Sequence, residues 1–400
     1  MNLVNEHSLA LALQSLTRSL LTSRRSGGEI FPLADMDVRT FAASTWASLD
    51  IGPEDQRELL ESLRAMFPAP SREGALETSV AMTPGAAAAE IFRTWEAGGR
   101  GIVYASSGSS GIPKLLPHTL EEVEQEISCL ARFFLTVRRI IGVTPQHHCY
   151  GCTFGVLMHR CLQVPYSILP PLPSVVMRHL SEHTLVVGYP DFWEKMQQLR
   201  HRPPEGLICL SAGSPWSDAS MEAMLQAGYS QLREIYGSSE NGAMGSRQEP
   251  GDFALLDYWE RDDVQAGDIS GLLRALPSGR RKMCEAQDYL VWSSPRSFRP
   301  ERRLDNAVQV SGINVYPVRV AQILEEHPQV AVCRVRLMRP DEGNRLKAFI
   351  VPREEVEDGA LRQALKIFCK QRFSAPERPV KFSFGPAVVK NDFGKETDWP

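Results

Sequence analysis

Apolar residues recur at helical spacing near the start of the chain, at Leu9, Leu13, Leu16 and Leu20. Residues 1–100 therefore read as helical, interrupted by Gly/Pro-rich connectors around 68–71 and 84–88. From Gly101 the pattern changes to short apolar runs, each ending in a Gly/Ser loop, with amphipathic segments between them. That alternation is how strands and crossover helices of an α/β sheet read. Residues 184–187 are expected to form a strand before a helix over 191–200. Residues 207–210 form the next strand, before a helix over 217–226 that Gly228 stops, and residues 232–236 follow as a third. Strands joined by crossover helices are parallel, and open parallel sheets bind ligands beyond the carboxyl ends of their strands. Ser211-Ala212-Gly213-Ser214-Pro215 and Gly237-Ser238-Ser239-Glu240 fall at those ends and are expected to face one crevice. Gly and Ser are also ordinary βα-turn residues, so the spacing alone leaves a plain turn open.

The last ~95 residues read as a separate small α+β unit of ordinary domain size. Val320, Ile323 and Leu324 mark a helix over 318–327 that ends before Pro328. Strands over 330–338 and 346–351 flank the turn Pro340-Asp341-Glu342-Gly343, and a helix over 360–372 and a strand over 380–384 complete the unit. The tail Lys390-Asn391-Asp392-Phe393-Gly394-Lys395 reads as a polar loop. The expected architecture is α/β: a large N-terminal domain of mostly parallel sheets with flanking helices, and a small C-terminal α+β domain.

Length and charge narrow the function. At 400 residues, 43% hydrophobic and 23% charged, the chain is long enough for more than one core. A net charge of -4 without a Lys/Arg run argues against nucleic acid and membrane surfaces as partners. Charged residues interrupt residues 1–30, so neither a signal-peptide core nor a spanning segment is expected, which leaves a cytoplasmic protein. The eight cysteines are scattered, as reduced thiols are. His147, His148, Cys149 and Cys152, with His159 and Cys161 nearby, offer zinc-type ligands, but no second pair follows at finger spacing.

The clearest chemistry lies in Ser106-Ser107-Gly108-Ser109-Ser110-Gly111-Ile112-Pro113-Lys114, after the apolar run Ile102-Val103-Tyr104. Four hydroxyls, two glycines and a lysine in nine residues supply backbone donors, side-chain donors and a point charge, which suits a polyphosphate. Lys114 stands three residues after Gly111 and precedes Leu115, so this is not the G-x-x-x-x-G-K-[ST] loop. Thr119-x-x-Glu122 is a capping box that opens a helix shortly afterwards.

This loop, Tyr236-Gly237-Ser238-Ser239-Glu240 and the late Gly394-Lys395 occur in the order of the core motifs of adenylate-forming enzymes, which the chain resembles: acyl- and aryl-CoA ligases, peptide-synthetase adenylation domains and luciferases. Within them it is most similar to the short 4-coumarate–CoA-ligase-like subfamily of photoactive yellow protein activation and of aryl-polyene and xanthomonadin-type pigments. The stretches that carry this likeness are Asp257-Tyr258-Trp259, Val310-Ser-Gly-Ile-Asn-Val-Tyr-Pro317, Leu337-Met-Arg-Pro-Asp-Glu-Gly343 and Ser374-Ala-Pro-Glu-Arg-Pro379.

The resemblance implies ATP and Mg²⁺, an aromatic carboxylic acid, and a thiol acceptor on coenzyme A or on the phosphopantetheine of an acyl-carrier protein. It gives Ser106, Ser107, Gly108, Ser109, Ser110, Gly111 and Lys114 the β- and γ-phosphates. Glu240 becomes the magnesium ligand, with Gly237, Ser238 and Ser239 beside it. Gly213, Ser214 and Pro215 pack on adenine, Tyr236 stacks there, Asp288 binds the ribose and Arg303 belongs to the hinge motif. Lys395 reaches the α-phosphate and carboxylate. Asp305 is the hinge between domains 1–304 and 306–400, about which the small domain moves, and Gly312 lines the thiol tunnel. Pro145-x-x-His148-x-Tyr150-Gly151 lies on the acid side with His148 as a gate, and Ala212 and Phe192 join the substrate pocket, unless Phe192 and Trp193 are simply the core face of their helix. A catalytically weak nucleotide-binding relative of the same fold is the alternative from another functional class.

Overall fold

The computed structural model describes residues 3–24, 33, 36–69, 82–106, 114–199, 201–262, 271–304, 307–310, 313–339, 342–353, 357–388 and 399. Two compact units divide between Arg302 and Arg303.

The large unit opens with helices α1 (Glu6–Arg24), α2 (Val38–Ala43), α3 (Pro53–Met66) and α4 (Pro84–Glu96). The apolar stripe of α1 is buried at Leu9 and Leu13 and half-buried at Leu16 and Leu20, against the main core. The expected connector at 84–88 is instead the first turn of α4. Thr83 caps it by accepting from Ala86 N–H, and Pro84 sits where the missing N–H costs nothing.

Strands β1 (Gly101–Ser106) and β2 (Lys114–Thr119) form an antiparallel pair, and α5 (Leu120–Ala131) follows through the Thr119/Glu122 capping box read from the sequence. β3 (Arg139–Gly142) leads into three short helical turns, α6 (Cys149–Gly151), a wide π-turn (Cys152–Leu157) and α7 (Met158–Leu162), then β4 (Tyr166–Ile168) and α8 (Pro173–His179). β5 (Thr184–Gly188), α9 (Pro190–Gln198), β6 (Ile208–Ser211), α10 (Asp218–Gln226) and β7 (Gln231–Ser238) realise the three units expected from the alternation. After them come β8 (Gly242–Arg247), β9 (Phe253–Leu255), β10 (Trp259–Arg261), β11 (Gly271–Ala275), β12 (Arg281–Glu285), β13 (Asp288–Ser294) and β14 (Ser297–Arg303).

The main sheet has nine strands in the order β13-β14-β9-β8-β7-β6-β5-β3-β4. Its β4-β3-β5-β6-β7 half is parallel, and β5 and β6 within it are buried at every residue, which is why they read as unbroken apolar runs. From β7 onward the pairing turns antiparallel, through β8 and β9 to β14. This extension was not visible in the sequence, because Gly242-Ala-Met-Gly-Ser246 carries neither β-branched residues nor alternation.

The small unit pairs β15 (Val308–Val310) with β16 (Ile313–Val315), then packs α11 (Pro317–Glu325) and α12 (Asp358–Arg372) on a three-stranded sheet. In that sheet β18 (Leu346–Pro352) lies between β17 (Val330–Leu337), antiparallel, and β19 (Lys381–Phe384), parallel. Val320, Leu324, Leu346, Ala348, Ile350, Leu361 and Leu365 form its core. Among the described residues no helix is long and apolar enough to cross a membrane.

Candidate active site

The β1–β2 ladder pairs Ser106 directly with Lys114, so the Ser/Gly loop leaves and re-enters the sheet at adjacent positions. Residues 107–113 themselves lie outside the described residues. Lys114 is 62% exposed, and its Nζ lies 4.0 Å from Glu240 Oε1, whose side chain is 21% exposed. Glu240 stands on the tight turn from β7 into β8. A partly exposed carboxylate opposite an ammonium, in an otherwise hydroxyl-rich segment, is a hard oxygen donor that fits a magnesium–polyphosphate.

Further back on β7, the Tyr236 hydroxyl donates to Asp288 Oδ2 at 2.7 Å, and the Tyr236 ring packs on Phe253 and Phe298. Tyr236 and Glu240 are four residues apart, with the β7–β8 register shifting after Tyr236 and the chain turning after Ser238.

The loop 212–216 leaves the end of β6, and Gly213 takes a φ of +83°, open to glycine without strain. Its far end is clamped. Glu234 of β7 accepts from Trp216 N–H at 2.9 Å, and Arg247 of β8 donates to the Trp216 carbonyl. Arg247 also pairs with Glu234 at 2.7 Å and with Asp218 at 2.6 Å. Ser214 and Pro215 therefore ride on a loop whose exit is held by a buried ion pair.

In the segment 145–151, burial pushes His148 down to about 4, which keeps its imidazole neutral near pH 7, and the His147 ring lies 4.3 Å from it. Ser15 of α1 holds this segment: its Oγ accepts from Gln146 N–H at 2.9 Å and lies 2.8 Å from His147 Nδ1. Tyr150 donates to the Gly188 carbonyl at 3.0 Å, tying the segment to the end of β5. A Cβ on Gly151 would come within 2.0 Å of the Pro145 carbonyl, so glycine is required there. Ala212 is buried at the end of β6. Phe192 is 1% exposed and packs with Trp193, Trp216 and Met196, which is the core-face reading of that helix.

The structure thus brings together Lys114 with Glu240, and Tyr236 with Asp288. Ser107, Gly108, Ser109, Ser110, Gly111, Asp305, Gly312 and Lys395 lie outside the described residues, and Arg303 falls in the small unit. Sequence reasoning missed Ser15, His118, Glu126, Arg274, Glu234 and Arg247. Glu126 alone left a signal, a carboxylate beside the apolar stripe Val123, Ile127 and Leu130 of its own helix.

The sequence profile of the AMP-binding enzyme family matches residues 101–263, and that of the AMP-binding enzyme C-terminal domain matches residues 319–395. The chain is 34% identical to a 4-coumarate–CoA ligase of Halorhodospira halophila over 298 residues, 74% of either chain. It is 35% identical to a 4-coumarate–CoA ligase of Rhodobacter capsulatus over 303 residues, 74% of this chain and 75% of that one. Among solved structures, the amide bond synthetase of Marinactinospora thermotolerans superposes with a TM-score of 0.63 at 15% identity, covering 97% of this chain and 92% of that one. The o-succinylbenzoate CoA synthetase of Bacillus subtilis gives 0.61 at 19%, covering 74% and 67%.

Proposed function

Because the chain belongs to the AMP-binding enzymes, the adenylate-forming acid–thiol ligases, we propose that it activates an aromatic acid of the hydroxybenzoate or coumarate type with ATP. A carboxylate oxygen attacks the α-phosphorus, the bond to pyrophosphate breaks, and an acyl-AMP forms. A thiolate then attacks the acyl carbon and AMP leaves with the carboxylate oxygen. The acceptor is the thiol of coenzyme A, in keeping with the relatives' names, and a carrier-protein phosphopantetheine is the alternative that the assay below separates. The work belongs in the cytoplasm, where ATP and such thiols are supplied.

One observation carries this reading: a cation–carboxylate pair at 4.0 Å and a tyrosine–aspartate pair at 2.7 Å, set along one strand and its following turn. Lys114, with the hydroxyls and amides of the Ser/Gly loop, neutralises the charge that builds on pyrophosphate as it departs. Glu240, with Ser239 beside it, would hold Mg²⁺, which supplies Lewis-acid neutralisation of the phosphate oxygens. Asp288 accepts from the ribose hydroxyls, and Gly213, Ser214 and Pro215 cover the adenine. Neutral His148 shields the reacting carboxylate without forming an ion pair that would blunt its attack. The family resemblance assigns Lys395 to the first step and Gly312 to the second.

Product analysis by mass spectrometry tests the assignment. Purified chain, ATP and Mg²⁺ with benzoates, cinnamates or fatty acids, each with coenzyme A or a phosphopantetheinylated carrier protein, should yield an aryl thioester on one acceptor. Thioesters from fatty acids but from none of the aromatic acids would overturn the substrate class.

A further inference from the structure

Side chains from several other elements hold backbone groups of the turn that carries Glu240 and of the first residues of β8. His118 Nε2 donates to the Ser239 carbonyl at 2.7 Å, and Ser238 Oγ accepts from Asn241 N–H at 3.3 Å. Arg274, 1% exposed, donates to the Asn241 carbonyl at 3.3 Å. Tyr258 and Trp259 both donate to the Ala243 carbonyl at 2.8 Å. At the start of β8, Glu126 Oε2 accepts from Ala243 N–H at 3.0 Å.

Glu126 is an expensive way to satisfy one amide. It is 7% exposed on the buried face of α5, beside a small closed cavity lined by Tyr104, His118, Cys149, Thr153 and Gly242. Burial pushes its carboxyl up to about 6, against the pull of nearby Arg274 and of the Ala243 and Thr153 donors. Gly242 is shaped to it: φ is +75°, and a Cβ there would lie 2.1 Å from Glu126 Oε2. A backbone amide at this depth needs an acceptor, but an apolar helix face and a water would cost less than a buried carboxylate.

We propose that Glu126 is a positioning residue for adenylation: by reaching Ala243 N–H it fixes the turn that sets Glu240 opposite Lys114. The inference rests on the function proposed above, and deepens it by adding a support for the metal-binding carboxylate. Groups behind a metal ligand fix its orientation, and their loss costs about 10–100-fold in metal affinity. On the turn Glu126 acts by reach, because the group it holds there is a neutral amide, while its charge is felt by nearby Arg274.

Two conservative variants separate reach from charge. Glu126→Asp keeps the charge but withdraws the acceptor by one methylene; Glu126→Gln keeps the reach and loses the charge. In acid-dependent ATP–pyrophosphate exchange, Glu126→Asp should raise KM for Mg·ATP by about tenfold while KM for the acid stays put, and Glu126→Gln should stay within about threefold of wild type. Amide hydrogen exchange, which needs no activity, should show Ala243 losing protection in Glu126→Asp only. Equal damage from both variants, a rise in both KM values together, or unchanged Ala243 protection in Glu126→Asp would overturn the proposal. A wild-type chain without any exchange activity would defeat the ligase reading, and the amide protection of the two variants would still decide the role of Glu126.

Discussion

Glu240 and His159 show how differently two ionisable side chains work in this molecule. Glu240 is reachable by solvent and by a cation, and its proposed worth lies in the charge it presents to a ligand. Glu240→Gln removes one hard negative ligand and should cut adenylation by about 100-fold or more, with little change in thermal stability, as read from pyrophosphate release and Tm. His159 is buried, and burial, helped by His7 and Arg160, lowers it from the ordinary 6.5 to about 4. An unfolded histidine takes its proton near 6.5 and this one only near 4, so the unfolded state binds more protons in between. Stability is therefore full above about 6.5 and falls as the pH drops toward 4. His147 and His148 are shifted the same way, while Glu126, raised to about 6, works in the opposite sense above its ordinary value. His159→Phe should make the acid limb of a Tm-against-pH curve shallower; an unchanged limb would show that His159 takes no part. At this scale the candidates Lys114, Glu240, Tyr236 and Asp288, which the structure pairs with one another, were legible, since they lie in motif-bearing loops and strands. Glu234, Arg247 and Arg274 were not, because a charged residue in a sequence reads as surface until its partner is known, and Glu126 left only its place beside an apolar stripe.

Among the elements, β7 does the most. It is the last strand of the parallel half and the first of the antiparallel half, and it carries Glu234, Tyr236 and the approach to Glu240. The Glu234–Arg247 pair links it to β8 and clamps the 212–216 loop. Arg247→Met would strand a buried carboxylate, a loss of about 3–5 kcal/mol. Calorimetry should show a Tm lower by several degrees, and KM for ATP should rise because the loop exit is released. In the small unit, Lys347 is buried on β18 and is paired with Glu342 at 2.5 Å and with the Trp399 carbonyl at 2.8 Å. Trp399 also packs on Phe349, so this cation ties residue 399 to the sheet. Strands β5 and β6 were legible because both-face burial writes continuous apolar runs. The antiparallel extension was not, since its glycines answer to close backbone approach, as at Gly245, where a Cβ would sit 2.7 Å from the Phe298 ring.

At the scale of the whole molecule, the two units divide near the position that the family resemblance gives to a hinge, and the two half-reactions are expected to divide with them. Lys395→Ala should abolish adenylate formation and spare thioester formation from supplied acyl-adenylate. Asp305→Pro should do the reverse by stiffening the connection. Equal loss of both steps in Lys395→Ala would contradict a movement between them. None of this follows from composition or net charge, which argue against some partners without naming a reaction. It follows from the order of three loops along the chain and from two pairs of side chains. The most direct test is ATP–pyrophosphate exchange by the wild-type chain across a panel of aryl acids. Saturable exchange that requires an aromatic acid, and that Glu240→Gln removes, is the result predicted; label in ATP independent of any benzoate or cinnamate would contradict it.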